Sequence, residues 1–479
     1  MSTTKPNILF LLTDDQRFDT VAALGNTQVH TPNLDALIAC GTAFTQAHIM
    51  GGSSGAVCMP SRAMLHTGRS LWRIHREGQS IDPGHALMCE HFRNHGYETF
   101  GAGKWHNSPQ SYARCFDAGG EILFGGMADH WNMPAYDFDP TGEYAEVHPV
   151  CSGAFFSNNT MNVHYNHITP GAHSTDLLTD CTCDFLRNRA RADEPFFAYL
   201  AYLSPHDPRT MPARFLNMYD PDEIELPPNF MSLHSFDHGI DYSLRDEALE
   251  AHPRTPQAVR KHIAEYYAMI SHVDARVGEL IETLKETGQY ENTILVFAGD
   301  NGLAVGQHGL MGKQNLYDHS IRVPMVLAGP GVPEGETRDA YTYLIDLFPT
   351  LCDLASLSIP ETVEGQSLQP VLASAEAPHR EVLLFAYTEL HRAAKDGRYR
   401  LIECITPSAD EPSTRYTQLF DLQNDPWELC NLAGESSLAG VKASLGAELR
   451  RWQTELDDTR EAFGQIFWRG IDTLDSIYP

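Results

Sequence analysis

Five short apolar runs punctuate the chain, each followed at once by polar residues. They are NILFLL (7–12), YETFGA (97–102), FFAYLAYL (196–203), TILVFAG (293–299) and VPMVLAG (323–329). Runs this short, apolar without alternation, read as parallel strands buried on both faces. Between them the apolar spacing turns helical. TPNLDALIACG offers Thr31 as an N-cap and Pro32 at the first helical position. ALMCEHFRNHG closes on a glycine stop, STDLLTDCTCDFLRNRA is longer, and AVRKHIAEYYAMISHVDARVGELIETLKETG is long and amphipathic. Strands alternating with helices predict an α/β fold with a mainly parallel central sheet flanked by helices.

Two stretches, 107–170 and 205–255, lack this periodicity and read as long loops of the kind that carry function. From about Arg380 the pattern changes again. EVLLFAYTEL, YRLIECI and TQLFDL read as hairpin-connected strands, and 440–460 as a closing helix. The expected organisation is a large N-terminal domain over 1–379 and a smaller C-terminal subdomain over 380–479 with an antiparallel sheet and a helix.

Charge narrows the partners. With 63 acidic residues against 34 basic, the formal net charge is −29. That argues against nucleic acid or an acidic membrane as a partner, and requires any anion site to be locally basic or to carry a metal. Ten scattered cysteines without a CxxC pair give no zinc site and no disulfide scaffold. The first apolar run is too short for a signal segment, and no stretch approaches the roughly 20 apolar residues of a membrane span. The expectation is a soluble chain, cytoplasmic if this is the full natural chain and periplasmic or secreted if a signal peptide was removed.

The carboxyl ends of the predicted strands hold the chemistry. NILFLL leads into Thr13-Asp14-Asp15, YETFGAG into Lys104-Trp105-His106, FFAYLAYLSP into His206-Asp207, and TILVFAG into Asp300-Asn301. Ligands bind beyond the carboxyl ends of strands in open α/β sheets, so parallel strands would bring these groups to one edge. Three of these aspartates and an asparagine oxygen form a hard-oxygen set suited to Ca²⁺ or Mg²⁺. Adjacent Asp14 and Asp15 face one ion together only where the backbone turns sharply. Singly, each motif is ordinary: DD and GDNG mark turns, and GKWH and SPHDPR fit solvated loops. Lys313 lies in a glycine-rich segment, GQHGLMGKQNLYDHSIRVP, able to bring an ammonium close to an anion. Cys58 stands with Pro60 and Arg62 in AVCMPSRAMLHTGRS, just before an apolar helix, where packing alone would account for it.

CMPSRAMLHTGR resembles the signature of the type I, formylglycine-dependent sulfatases: C-x-P-S-R followed by T-G-R. LLTDDQ, GAGKWH, AGDNG and GKQNLYDHSIRVP resemble that family's other motifs in the same order, and the resemblance runs from residue 5 to about 430. It implies an alkaline-phosphatase-like fold with a small C-terminal subdomain, and hydrolysis of a sulfate monoester. It also implies that a maturation enzyme reads the C-x-P-x-R segment of the unfolded chain and oxidises Cys58 to formylglycine. One hydroxyl of the hydrated aldehyde attacks sulfur, and the other expels sulfate by re-forming the aldehyde. By the same resemblance, one Ca²⁺ rather than Mg²⁺ is held by Asp14, Asp15, Asp300, Asn301 and residue 58. Lys104 and Lys313 contact the sulfate, and Arg62 orients the nucleophile. His206 is the acid for the leaving alcohol, shared with Lys313, and His106 takes the second hydroxyl's proton.

For the leaving group, Asp207, Arg209, His308, His391 and Arg392 are candidate contacts, and Trp131 and Tyr136 in the first long loop are placed to stack on a sugar. SPHDPRTMPARFLNMYDP resembles bacterial sulfatases that act on sulfated carbohydrates, so a sulfated oligo- or polysaccharide is the expected substrate. Two alternatives stay open. One is a phosphonate or phosphate ester hydrolase of the same superfamily, disfavoured by the complete TDDQ and CMPSR. The other is a non-catalytic binder of sulfated glycans, disfavoured because every matched motif position is present.

Overall fold

Four of the five apolar runs pair as parallel neighbours in the computed structural model, which describes residues 5–151, 157–189, 191–240, 242–406 and 414–477. Asn7–Thr13 lies between Thr293–Gly299 and Phe196–Ala201, parallel to both. Phe196–Ala201 pairs in turn with Glu98–Lys104, again parallel. Every residue of these four strands is buried, which is why their sequences show no alternation. The strands end nearly level, with Thr13 opposite Gly299 and Leu12 opposite Ala201. Their carboxyl ends therefore form one edge.

The fifth run departs from expectation. Met325–Ala328 is antiparallel to Thr293–Gly299, and Gly41–Phe44 is antiparallel to it in turn. Burial patterning reports that a strand is covered, not its direction. The chain between Gly299 and Met325 carries the Lys313 segment rather than the long crossover helix usual between parallel strands. The 107–170 stretch is also more regular than it reads. Pro109–Cys115 is a helix, Ala118–Leu123 adds a parallel strand beside Glu98–Lys104, and Val147–Cys151 pairs with Thr160–His164. Ala118–Leu123 is half-buried along most of its length, so it lacks the apolar run that marks the inner strands.

The long helix Pro256–Glu286 begins as its sequence suggests, with Thr255 accepting from the Ala258 amide and proline in the first turn. The helix Pro32–Ala39 does not. Thr31 accepts from the Ala22 amide at 2.8 Å instead of capping its own helix. Asp274, from the long helix, takes over and accepts from the Asn33 and Leu34 amides at 3.0 and 2.7 Å. A carboxylate there satisfies free amides and complements the helix dipole, which a threonine hydroxyl does only by half.

Beyond residue 380, Leu383–Tyr387, His391–Lys395, Tyr399–Thr406 and Thr414–Asp421 form an antiparallel sheet. Gly51–Gly52, a few residues before Cys58, completes its edge in parallel with Leu383–Tyr387. Two helices, Ala439–Glu455 and Ala462–Ile477, follow where one was read. One continuous hydrophobic cluster runs from Ile8 and Phe10 of the central sheet to Leu401, Phe420 and Trp468, and a second, with Leu9 and Leu11, covers the sheet's other face. Among the described residues, no helix is long and apolar enough to cross a membrane.

Candidate active site

Two of the strand ends deliver their side chains through a local distortion of the backbone. Asp15 sits at φ 65° and His106 at φ 61°, in the left-handed region that non-glycine residues rarely adopt. This is the sharp turn that lets Asp14 and Asp15 face one point. The Tyr266 hydroxyl holds it from the long helix, donating to the Asp15 carbonyl at 2.5 Å and accepting from the Arg17 amide at 2.9 Å. Gly103, at φ 88°, packs against the Ala201 carbonyl where any Cβ would collide. The ladder shifts register between Ala102 and Gly103, which re-aims Lys104.

Cys58 opens the helix Cys58–Thr67, every residue of which is buried. Its Sγ lies 3.3 Å from Lys104 Nζ, 3.3 Å from His106 Nδ1 and 4.0 Å from Lys313 Nζ. Burial raises the thiol pKa above its ordinary value against the opposing pull of Lys104 and Lys313, so it is neutral at neutral pH. A reactive cysteine is instead exposed and driven towards thiolate. One turn on, Arg62 Nε donates to Asp300 Oδ2 at 2.8 Å, and its Nη1 donates to the Lys104 carbonyl at 2.5 Å. Ser61 Oγ also donates to the Asp300 carbonyl, at 2.5 Å.

The carboxylates and ammonium groups interleave. Lys104 Nζ donates to Asp14 Oδ2 at 2.5 Å, and Lys313 Nζ to Asp15 Oδ1 at 2.6 Å. Burial alone would raise the Asp14 carboxyl, but Lys104, His206, Arg62 and Lys313 together hold it well below the carboxylate range. Burial and the Asp14 charge push Asp300 up. Burial pulls Lys313 down, and Asp15 and its neighbours more than reverse this. His206 donates from Nδ1 to the Asp207 carbonyl at 2.7 Å, turning Nε2 towards Asp15 Oδ2 at 3.5 Å. Burial holds His206 at about 4, and burial with the Lys104 charge holds His106 well below its ordinary value.

Three oxygens in this cluster, Asp14 Oδ1, Asp15 Oδ2 and Asn301 Oδ1, are buried without a hydrogen-bond partner among the described residues. Buried polar atoms are rarely left so. Ligand atoms of Asp14, Asp15 and His206, and of Asp14, Cys58 and Asp300, lie within 4.8 Å of one another. A hard cation would satisfy these oxygens and suits a donor set of this kind. The residues present therefore fit a divalent metal.

The remaining candidates divide. Asp207 is held by Arg245 and lines a cavity beside His206, together with Arg209. His308 stacks on Tyr317, with ring centroids 4.0 Å apart, and contacts Asn229 Nδ2 at 3.2 Å. His391 bonds the His238 carbonyl at 2.7 Å, and Arg392 is paired with Asp458 at 2.7 Å. His391 and Arg392 lie in a buried strand and are not bonded into the cluster; their guanidinium and ring are occupied by the fold. Tyr136 is buried and donates to the Tyr144 and Glu146 carbonyls at 3.1 Å, whereas Trp131 is partly exposed.

Sequence reasoning missed the residues that hold the Lys313 segment. Glu247 accepts from the Met311 and Gly312 amides at 3.1 and 2.8 Å and pairs with Arg254 at 2.7 Å. Asp246 Oδ2 accepts from Gln314 at 2.7 Å. The only sequence signal was the adjacent acid pair inside an otherwise irregular stretch.

A family model described as sulfatase matches residues 6–357, and one described as N-sulphoglucosamine sulphohydrolase, C-terminal, matches 306–455. An ulvan-active sulfatase of Formosa agariphila is 27% identical over 95% of this chain and 82% of its own length. An N-acetylglucosamine-6-O-sulfatase of Bacteroides thetaiotaomicron is 24% identical over 95% of this chain and 88% of its own. Among solved structures, a protein in complex with its substrate D-glucosamine-2-N,6-O-disulfate has the same fold, with TM-score 0.75 and 22% identity over 95% of this chain and 99% of the other.

Proposed function

Because the chain belongs to the sulfatase family and is thereby a sulfate ester hydrolase, we propose that it removes sulfate from a sulfated oligo- or polysaccharide, using residue 58 in its formylglycine form. The observation that carries this reading is the buried Cys58 thiol, neutral as it stands, ringed by Lys104, His106 and Lys313 within 4.0 Å. A thiol so placed is a poor nucleophile but a well-surrounded precursor. Maturation requires an enzyme acting on the chain before Cys58 is buried, for which Pro60 and Arg62 would be recognition elements.

Once matured, residue 58 supplies a hydrated aldehyde whose hydroxyl is the nucleophile. A divalent cation, Ca²⁺ by family resemblance, would be held by Asp14, Asp15, Asp300, Asn301 and residue 58, and would supply Lewis-acid polarisation. The chain's own groups do the rest. Lys104 and Lys313, with Nζ 3.3 and 4.0 Å from the residue 58 side chain, offset the charge on the sulfuryl oxygens. Arg62, pinned to Asp300 and to the Lys104 carbonyl, fixes the helix start that carries the nucleophile. His106, neutral because burial and the Lys104 charge lower its pKa, has Nδ1 in reach of a proton on residue 58 and accepts it in the tautomer that carries the ring hydrogen on Nε2. His206 Nε2 is the position from which a proton passes to the leaving alcohol, since its Nδ1 is committed to a carbonyl. An anionic substrate beside that ring raises its affinity for the proton, opposing burial. Lys313 is the alternative donor.

A side-by-side assay of an aryl sulfate, a phosphodiester and a panel of sulfated sugars tests the reading. Sulfate release from the sugars should dominate, and dominant phosphodiester turnover would overturn it.

A further inference from the structure

Beside His206 lies a cavity of about 460 Å³, within the size range of small-molecule sites. Met127, Asp129, Asp207, Arg209, Arg245 and His262 are among the residues that line it. Asp207 follows His206 directly, so this space opens next to the predicted proton donor.

The charged groups of this cavity differ in one respect. Asp207 is neutralised by Arg245, which also donates to Asp246 at 2.8 Å. Asp129 turns into its own loop, accepting from the Trp131 amide at 3.0 Å and Asn132 Nδ2 at 2.7 Å. Glu265 has Lys261 at 3.8 Å. Among the described residues, Arg209 has no carboxylate paired with it. Its Nη1 donates to His262 Nδ1 at 2.5 Å, and His262 Nε2 is taken by Glu250 at 3.1 Å. Its Nε and Nη2 are buried with no hydrogen-bond partner among the described residues. Nε and Nη2 form one edge of the guanidinium fork, the edge that receives a carboxylate or sulfate through two parallel bonds. Burial pushes this guanidinium down, opposed by Glu265, as expected of a cation short of a counter-charge.

Resting on the carbohydrate sulfatase reading above, we propose that this cavity is the subsite for the sugar and that Arg209 recognises a second anionic group on it, a carboxylate or a second sulfate. With a net charge of −29, the protein's long-range field repels a polyanion. Recognition of such a substrate falls to local cations, and among the described residues Arg209, unlike Arg245, lines this cavity with no carboxylate paired to its guanidinium. An uncharged hydroxyl would satisfy the donors but leave the buried charge uncompensated.

The test compares wild type, Arg209→Gln and Arg209→Lys on three sugars: N-acetylglucosamine 6-sulfate, glucosamine 2-N,6-O-disulfate, and a disaccharide joining N-acetylglucosamine 6-sulfate to a uronate. Wild type should prefer one or both of the doubly anionic sugars in kcat/KM. Arg209→Gln should shrink that preference by at least ~10-fold, and Arg209→Lys should restore part of it. The sugar with the larger loss identifies sulfate or carboxylate as the group read. An unchanged preference in Arg209→Gln overturns the inference while leaving the sulfatase reading intact. If wild type releases sulfate from none of the three, that broader reading fails for these sugars, and calorimetric binding to the unmatured Cys58 protein decides the inference. A doubly anionic preference that vanishes in Arg209→Gln supports it; no preference, or one that survives the substitution, overturns it.

Discussion

Arg62 Nε donates to Asp300 Oδ2 at 2.8 Å, and neither side chain has exposed surface. The same guanidinium reaches the Lys104 carbonyl at 2.5 Å. One fork thus ties the helix carrying Cys58 to two strand ends. Arg62→Ala strands a buried carboxylate, and breaking such a pair costs about 3–5 kcal/mol. Denaturant unfolding should show that loss, with a smaller one in Arg62→Lys, which keeps the charge but cannot serve both acceptors. Sulfate release should fall at least ~100-fold in both. An Arg62→Ala protein as stable as its parent would refute the structural role.

The unpartnered oxygens of Asp14, Asp15 and Asn301 predict that a divalent cation stabilises the fold. Chelated protein should melt at a lower temperature, and Ca²⁺ should restore the midpoint more effectively than Mg²⁺. A cation at 100 times its dissociation constant contributes about 2.7 kcal/mol. Asp14→Asn should abolish most of the calcium-dependent rise. A midpoint indifferent to Ca²⁺ would remove the metal from the account.

Glu247 is predicted to act through the segment it holds. Its carboxylate secures the Met311 and Gly312 amides and pairs with the fully buried Arg254. Glu247→Ala should lower kcat by roughly 10–100-fold as Lys313 loses its placement, because small misplacements of charged groups are costly. Glu247→Gln keeps an acceptor and should lose less. A change confined to KM would contradict a positioning role.

Acid should destabilise the protein well above the carboxylate range. Burial holds His48, His66, His173 and His308 each at about 3. In the unfolded chain each titrates near 6.5, so below that pH the unfolded state binds protons that the folded state refuses. Their contribution is complete above about pH 6.5 and declines as pH falls towards 3, at about 1.4 kcal/mol per pH unit for each fully protonated unfolded histidine. His66 stacks on Trp105, and both its ring nitrogens lack a hydrogen-bond partner among the described residues. His66→Phe should therefore flatten the acid limb of the stability curve measured by urea unfolding, and an unchanged limb would show that His66 does not contribute.

The central parallel strands were legible because complete burial leaves a continuous apolar run, and their shared carboxyl edge followed from direction alone. The direction of Met325–Ala328 was not legible, since an antiparallel buried strand has the same apolar signature. His391–Lys395 escaped notice because HRAAK holds no apolar alternation and is buried only by its neighbours. In the cluster, the motif residues could be placed from strand ends, but their supports could not. Asp274 caps a helix some 240 residues away, and Tyr266 pins the Asp15 turn from a face of the long helix that reads as ordinary core. Such partners are set by packing, which local sequence does not encode. Arg392 shows the reverse limit: residue type alone made it a candidate contact, and type does not show that the fold pairs it with Asp458.

The central claim is that residue 58 works as an aldehyde rather than a thiol. The mass of the peptide containing Cys58, taken from an active preparation, tests it most directly. The account predicts formylglycine in place of cysteine, in proportion to the specific activity of sulfate release. A peptide carrying only the unmodified thiol, from protein that releases sulfate at full rate, would contradict it.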